Sequence, residues 1–159
     1  MRSDEGVTLE YEGYDGRRIK QADANLAAYP LEVITRPEDI RRDLEYYEDR
    51  INSKGPAMSY SMLALQYSRL GDGDKAYELF KRSYENNRLP PFGVLAECAG
   101  TTNPYFTTGA GGMLQCLING FGGLELTDKG VKRVESALPS HWKSLTIKGV
   151  GKESKTWSK

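Results

Sequence analysis

The segment 89–123 constrains the fold of this 159-residue chain more than any other. Near its start a single carboxylate, Glu97, has apolar residues on both sides. Burying an isolated charge is very costly, so such an acid must be solvated in a cavity, paired or used in chemistry. The small residues 107–112 then lead into an apolar helix predicted over 113–118. Because small residues allow a backbone to approach another backbone or a ligand, the segment predicts a pocket wall with an acid at its mouth. The alternative is a tightly packed loop and helix with Glu97 exposed.

Helical periodicity predicts most of the secondary structure before this segment. Apolar residues recur every three or four positions in the stretches 17–29, 36–51, 59–70 and 75–87, which is the spacing of amphipathic helices. The stretch 59–70 is apolar on most sides, so we expect other helices to enclose it. Together with 75–87, which is apolar on one side only, it predicts an antiparallel helical hairpin.

The second of these helices is predicted to start at the capping-box sequence 35–38 and to lie on the outside of the fold. Its apolar stripe consists of Ile40, Leu44, Tyr47 and Ile51. Its charged residues, Asp39 and Asp43 among them, are expected to form a solvated face and not a binding patch.

The two ends of the chain are less regular. Residues 1–16 are polar and interrupted by glycines, so we expect an irregular segment. Residues 124–127 and 131–134 flank a turn and predict a β-hairpin. An alternating strand is predicted over 143–150, and 151–159 is expected to be a polar tail.

Composition excludes several classes of function. The 22 basic and 22 acidic residues balance, so no net field favours nucleic acid or an anionic membrane. No apolar run approaches the roughly 20 residues that span a bilayer. The single histidine, His141, argues against a histidine-rich metal site, and Cys98 and Cys116 lack metal-ligand spacing. We therefore expect no metal and no cofactor, and buried free thiols are the favoured interpretation of the cysteines.

Three motifs resemble glycoside hydrolase family 65. The long segment contains PPFGVLAECAG at 90–100 and NPYFTTGAGGMLQCLINGFGGLEL at 103–126. Upstream, IKQAD at 19–23 is similar to the family's KQAD motif, and GPAMSYSM at 55–62 is similar to a motif of its hydrolase branch. That branch includes acid trehalases, kojibiose hydrolases and glucosyl-galactosyl-hydroxylysine glucosidases.

The resemblance implies a mainly α fold, the C-terminal half of an (α/α)6 toroid of the six-hairpin glycosidase type, with a short β segment at the C-terminus. The implied division is an irregular segment at 1–16, a partial barrel at 17–123, a hairpin and the start of a β domain at 124–150, and a tail at 151–159. The implied partner is the missing N-terminal half of the barrel.

The resemblance also implies site residues. Glu97 occupies the position of the general base in the hydrolase branch, and Lys20 and Gln21 match the pair that binds the transferred glucose. Inverting hydrolysis needs two carboxyl groups about 6.5–9.5 Å apart, and the family's general acid lies in an earlier segment. The chain therefore resembles a fragment of an inverting hydrolase acting on an α-linked glucosyl disaccharide or conjugate.

Two alternatives remain. The family also contains phosphorylases, which hold phosphate with a serine-rich loop and a histidine. Here residues 55–58 occupy the place of that loop, and Tyr105 lies near the position of the histidine. Because a phosphate dianion would lack a cationic donor, hydrolysis is favoured over phosphorolysis. The other alternative is a catalytically silent helical fragment that binds sugar or another protein.

Overall fold

The computed structural model describes all 159 residues, and its fold is mainly helical, as predicted. The four α-helices are α1 (Pro37–Glu48), α2 (Ala57–Arg69), α3 (Gly73–Arg82) and α4 (Thr107–Gln115). Two short 3-10 helices (Asp23–Ala27 and Glu85–Asn87) and a π-helical turn (Cys116–Phe121) complete the helical part.

Six short strands form three separate antiparallel pairs. The pairs are β1 (Arg88–Leu89) with β2 (Val94–Leu95), β3 (Leu124–Thr127) with β4 (Gly130–Arg133), and β5 (Thr146–Val150) with β6 (Lys155–Ser158). None of the helices has the length and the apolar composition needed to cross a membrane.

Helix α2 is the centre of the fold and packs against α3, α4 and the π-helical turn. The predicted hairpin of one enclosed and one half-exposed helix is confirmed: α2 is buried on nearly all sides, whereas α3 buries mainly Ala76, Leu79 and Phe80. The Phe80 ring meets Phe121 edge-on, with the centroids 5.7 Å apart. This contact shows that the hairpin and the turn after α4 share one core. Burying a side chain of this size contributes about 1.5–3 kcal/mol.

The helix predicted over 17–29 is wrong, since only Asp23–Ala27 is helical and that part is a 3-10 helix. The preceding residues are extended because their backbone groups bond to another segment. The amide of Ile19 donates to the Arg50 carbonyl and the Ile19 carbonyl accepts from the Asn52 amide, both at 3.0 Å. A parallel bridge between Ile19 and Ile51 therefore replaces the first helical turns.

Helix α1 confirms the predicted apolar stripe and corrects the interpretation of its charged face. Asp39 and Asp43 are each only 3% exposed. Asp39 accepts hydrogen bonds from Arg2 at 2.9 Å and from Arg42 at 2.7 Å, and these bonds, first that from Arg2, lower the pKa of its carboxyl group. Asp43 accepts from the Thr8 amide at 2.9 Å. The N-terminal segment covers this face, so the expectation of full solvation was wrong for these two residues.

The helix predicted over 113–118 starts earlier and includes the small residues. At Gly109 an added Cβ would lie 2.9 Å from the Ala57 Cβ, and at Gly112 it would lie 2.5 Å from the Ser61 Oγ. These distances are too short for a side chain, so Gly109 and Gly112 serve mainly to bring the backbone of α4 close to α2.

At the C-terminus the predicted hairpin is confirmed in β3 and β4, and the predicted strand is confirmed in β5. The expectation of a polar tail over 151–159 was wrong, because β6 pairs with β5. Trp157 lies half-buried opposite Ile147 in this pair. Burial of one aromatic face against the strand explains why a polar sequence becomes ordered there.

Candidate functional site

Glu97 lies in a loop that backbone hydrogen bonds fix on both sides. On one side the Ala96 amide donates to the Asn87 carbonyl at 2.8 Å. On the other side Cys98 forms an antiparallel bridge with Pro56, directly before α2. The loop therefore places the Glu97 carboxylate beside the N-terminus of α2, with 38% of its side chain exposed.

The side chain of Asn87 adds a second set of bonds beneath this loop. Its amide nitrogen donates to the carbonyls of Glu97 at 2.9 Å and Ala96 at 3.2 Å, and it lies 3.5 Å from the Gly55 carbonyl. Asn87 is 4% exposed, and its bonds to the Ala96 and Gly55 carbonyls are buried, whereas that to the Glu97 carbonyl is part-buried. Sequence reasoning missed this residue, because nothing in the sequence distinguishes Asn87 from the exposed Asn86 next to it.

Lys20 reaches the carboxylate from a segment 77 residues away along the chain. Its Nζ donates to Oε1 of Glu97 at 3.0 Å while 63% of the lysine side chain stays exposed. This hydrogen bond, with the negative charge of Glu97, raises the pKa of the Lys20 ammonium group. The structure thus brings together two of the three residues that the sequence singled out.

A glycine makes room for this approach. A Cβ on Gly55 would lie 2.8 Å from the carbonyl oxygen of Asn52 and 3.2 Å from that of Lys20. Any side chain at position 55 would push the Lys20 segment away from the start of α2. The GPAMSYSM sequence therefore has a local structural role in positioning the lysine.

Gln21 has different surroundings from its neighbour. Its amide nitrogen donates to Oδ1 of Asp23 at 2.9 Å, and it forms no hydrogen bond with Glu97. Instead it lines a cavity of about 200 Å³ between the first 3-10 helix, α2 and α4. The three predicted site residues therefore divide between an ion pair and an adjoining cavity.

The chemistry that this arrangement offers is proton transfer at one carboxylate. Glu97 is partly open to solvent, and an ammonium group fixes one of its oxygens, so the other oxygen can accept a proton from water. No second carboxylate pairs with Lys20 or hydrogen-bonds to Glu97. No three His, Cys, Asp or Glu residues are grouped closely enough to hold a metal ion.

A larger cavity, about 690 Å³, lies at the opposite end of α2 beside Arg69, Arg133 and Lys159. It contains none of the three predicted site residues Lys20, Gln21 and Glu97. We therefore place the candidate site at Glu97 on the basis of its charge pair and backbone support, and not on the basis of cavity size.

No family model matches the chain. The chain is 56% identical to the kojibiose hydrolase of Mucilaginibacter mallensis, with 99% of the chain aligned, and 55% identical to that of Flavobacterium johnsoniae, with 96% aligned. It is also 38% identical to the protein-glucosylgalactosylhydroxylysine glucosidase of Danio rerio, with 89% aligned. By name, two of these relatives are hydrolases and the third is a glucosidase.

The chain covers only 23% of the length of the two kojibiose hydrolases and 22% of that of the Danio rerio protein. The relatives thus have some three quarters of their length outside the aligned part. The similarity includes 154 or more residues in the two bacterial proteins, so it extends over both the Lys20 and the Glu97 segments.

Proposed function

We propose that this chain is the C-terminal part of the catalytic domain of an inverting α-glucoside hydrolase of glycoside hydrolase family 65. Glu97 is the general base, and Lys20 and Gln21 bind the glucose unit. The observation that carries the proposal is the 3.0 Å contact between Lys20 and Glu97. Two motifs that resemble the same family meet there although they lie 77 residues apart.

In the proposed reaction Glu97 takes a proton from a water molecule as the water oxygen attacks the anomeric carbon. The bond from that carbon to the leaving oxygen breaks, and a general acid outside this chain protonates the leaving oxygen. Attack from the face opposite to the leaving group inverts the configuration. Lys20 holds one carboxylate oxygen of Glu97, so that the other oxygen is free for the water.

The fold proposal follows the same resemblance. The antiparallel pair of α2 and α3, one enclosed and one half-exposed, is the repeating unit expected of an (α/α)6 toroid. The remaining hairpins, and the general acid, would come from the part of the protein that corresponds to the unaligned length of the relatives. We propose that this part is the structural partner of α4.

Phosphorolysis is the less favoured reaction. A phosphate dianion bound beside Glu97 would be repelled by the carboxylate at short range. Tyr105, near the position where phosphorylases have a histidine, is 78% exposed and offers no positive charge. The aligned relatives named above are hydrolases by name.

The test uses the complete protein with kojibiose as the substrate. A general base contributes about 10²–10⁴-fold, so Glu97→Gln should lower kcat by that order and leave KM nearly unchanged. Glu85→Gln, at an exposed glutamate in the nearby 3-10 helix, is the control and should behave as the wild type. Proton NMR during the first turnovers should show β-glucose in excess of the anomeric ratio that the reducing-end unit of kojibiose contributes, because only the transferred glucosyl unit reports the stereochemistry.

Three outcomes would contradict the proposal: full turnover by the Glu97→Gln variant, initial release of the transferred glucosyl unit as α-glucose, or a strict requirement for phosphate. The isolated 159-residue chain should not hydrolyse kojibiose, because it lacks the general acid. Hydrolysis by the isolated chain would show that the acid lies within these residues.

A further inference from the structure

The cavity beside Gln21 contains buried polar groups that the protein itself does not satisfy. Asn25 is 3% exposed and lines the cavity, and neither its amide nitrogen nor its amide oxygen has a hydrogen-bond partner. Ser59 is 6% exposed, lines the same cavity, and its hydroxyl also has no partner. Buried polar groups are nearly always paired with protein or ordered water, so these three atoms indicate that the cavity holds an occupant able to form hydrogen bonds.

The surrounding structure fixes Asn25 firmly. Its backbone carbonyl accepts a hydrogen bond from Gln66 at 3.1 Å and from the amides of Ala28 and Tyr29. The backbone of Asn25 is therefore fixed at the cavity, while its side-chain amide has no partner. A residue held in this way is preorganised for binding, because little conformational freedom is lost when a ligand arrives.

The composition of the cavity wall selects the chemistry of the ligand. It has no cationic side chain, and its only carboxylate, Asp23, already accepts a hydrogen bond from Gln21. Apolar side chains from Leu26, Met58 and Met62 form much of the remaining wall. An apolar wall with a few fixed amide and hydroxyl groups suits a neutral molecule with C–H faces and several hydroxyl groups.

The size of the cavity narrows the choice further. Its volume of about 200 Å³ is below the roughly 300 Å³ at which pockets for drug-sized ligands begin. It is several times the volume of about 30 Å³ that one water molecule takes in the liquid. A single sugar ring therefore suits the cavity better than a disaccharide does.

We propose that this cavity binds one neutral sugar unit through the side chains of Asn25 and Ser59. The amide can donate to one hydroxyl group and accept from another, and the serine hydroxyl can do either. The inference rests on the proposed function for the identity of the sugar as glucose. It adds two binding residues that none of the three sequence motifs assigned to a site.

The test compares glucose binding with thermal stability in variants that lack the unpartnered polar groups, because the two properties are expected to change in different directions. Replacing an unpartnered buried polar group by an apolar one is neutral or stabilising. If the groups are unused, Asn25→Leu and Ser59→Ala should therefore leave glucose binding unchanged. If they bind sugar, Asn25→Leu should raise the dissociation constant of glucose about ten- to thirtyfold, and Ser59→Ala about three- to tenfold, from the loss of neutral hydrogen bonds. The melting temperature of the free protein should stay level or rise.

The measurement is a calorimetric titration of the complete protein with D-glucose, with a thermal melt of each variant. Asn86→Ala, at the exposed asparagine, is the control and should bind as the wild type. Wild-type affinity in both cavity variants would overturn the inference and leave water as the occupant, and so would absence of saturable glucose binding by the wild type. If Asn25→Leu does not fold, Ser59→Ala decides alone.

The outcome also separates this inference from the proposed function. Hydrolysis of kojibiose by a protein whose cavity variants bind glucose normally would overturn only the cavity assignment. Weakened glucose binding by the variants of a protein that hydrolyses no α-glucoside would overturn only the hydrolase proposal. The titration needs no turnover, so it decides the cavity in either case.

Discussion

Two carboxylates on this chain bind basic residues from distant segments, and their surroundings differ sharply. Glu97 accepts one hydrogen bond from Lys20, and 63% of the lysine side chain and 38% of the glutamate side chain stay exposed. Asp39, whose side chain is 5% exposed, accepts from both Arg2 and Arg42. Exposed ion pairs contribute little to stability because solvent already satisfies both charges, whereas a buried carboxylate that loses its partners is left uncompensated and destabilises the fold.

The difference indicates what each pair is for. The bond from Arg2 to Asp39 holds the N-terminal segment over α1, which is a structural role. The ion pair at Glu97 contributes little to stability. The backbone around Glu97 is held chiefly by hydrogen bonds from the side chain of Asn87. A carboxylate held in place by buried backbone bonds but left open to water is suited to exchange protons with a bound water molecule.

The strongest test of the difference between Glu97 and Asp39 removes the hydrogen bonds that hold the Glu97 backbone and leaves the Glu97 carboxylate unchanged. Asn87→Ala leaves the carbonyls of Ala96 and Glu97 without their buried donor. A misplacement of about 1 Å can cost about 10²-fold in rate, so we expect kcat to fall ten- to a hundredfold with a smaller change in KM. Steady-state kinetics well below the melting temperature, scaled to the folded fraction, measures this effect.

Asn86→Ala is the matched control for that variant, because Asn86 is the exposed neighbour in the same 3-10 helix. It should retain the wild-type kcat. A structural role alone would lower the melting temperature of Asn87→Ala but leave the kcat of the folded molecules unchanged. That result would show that Asn87 does not position Glu97 for catalysis.

Two adjacent glycines of α4, Gly111 and Gly112, test how closely this helix packs against α2 below the candidate site. A Cβ at Gly112 would lie 2.5 Å from Ser61 Oγ and 3.3 Å from Met58 Cβ, whereas a Cβ at Gly111 would meet nothing within 4 Å. Overpacking costs about 1–3 kcal/mol, so Gly112→Ala should destabilise by that amount. Gly111→Ala should stabilise by up to about 1 kcal/mol through helix propensity. Thermal or urea unfolding measures both, and equal effects of the two variants would contradict close packing of α4 on α2.

The elements that the sequence predicted well are those whose pattern is local. Helix α2 and helix α3 follow from apolar spacing, and the β3–β4 hairpin follows from its turn. The extended segment around Ile19 could not be predicted in this way, because its backbone groups bond to residues near Ile51. The spacing of apolar residues does not show which carbonyl groups will accept hydrogen bonds from the backbone amides of the same segment.

The same limit applies to the site. The motifs identified Lys20 and Glu97, but only the tertiary fold brings their side chains to 3.0 Å. A helical wheel places Asp39 on the polar side of α1 and does not show that Arg2 folds over it. The unpartnered amide of Asn25 is likewise a property of the assembled cavity, since the sequence around it contains no distinguishing pattern.

The buried carboxylate of Asp39 predicts a dependence of stability on pH. Because hydrogen bonds from Arg2 and Arg42 lower the pKa of Asp39, its stabilising contribution is fully present above the ordinary aspartate value of about 3.9. It is lost as the pH falls through the lower value of the folded state. Asp39→Asn should therefore lower the melting temperature at pH 7, and the difference from the wild type should shrink below about pH 4. Asp49→Asn, at an exposed aspartate without an ion pair, is the control and should follow the wild-type curve. A constant difference across that range would show that the two arginine bonds do not depend on the charge of Asp39.

The smallest expected effect on stability comes from Lys20. Lys20→Met removes the ammonium group but keeps the aliphatic stem, and both members of the ion pair are exposed to solvent. Solvent then replaces the lost hydrogen bond, so the melting temperature should not change measurably. Lys54→Met, at an exposed lysine without an ion pair, serves as the reference. Under the proposed function Lys20→Met should nevertheless lower kcat/KM for kojibiose, because the lysine orients Glu97 and binds glucose, whereas Lys54→Met should not. A clear loss of stability in Lys20→Met without loss of activity would contradict this assignment. It would show that the Lys20–Glu97 pair has a structural role, as the ion pairs of Asp39 do.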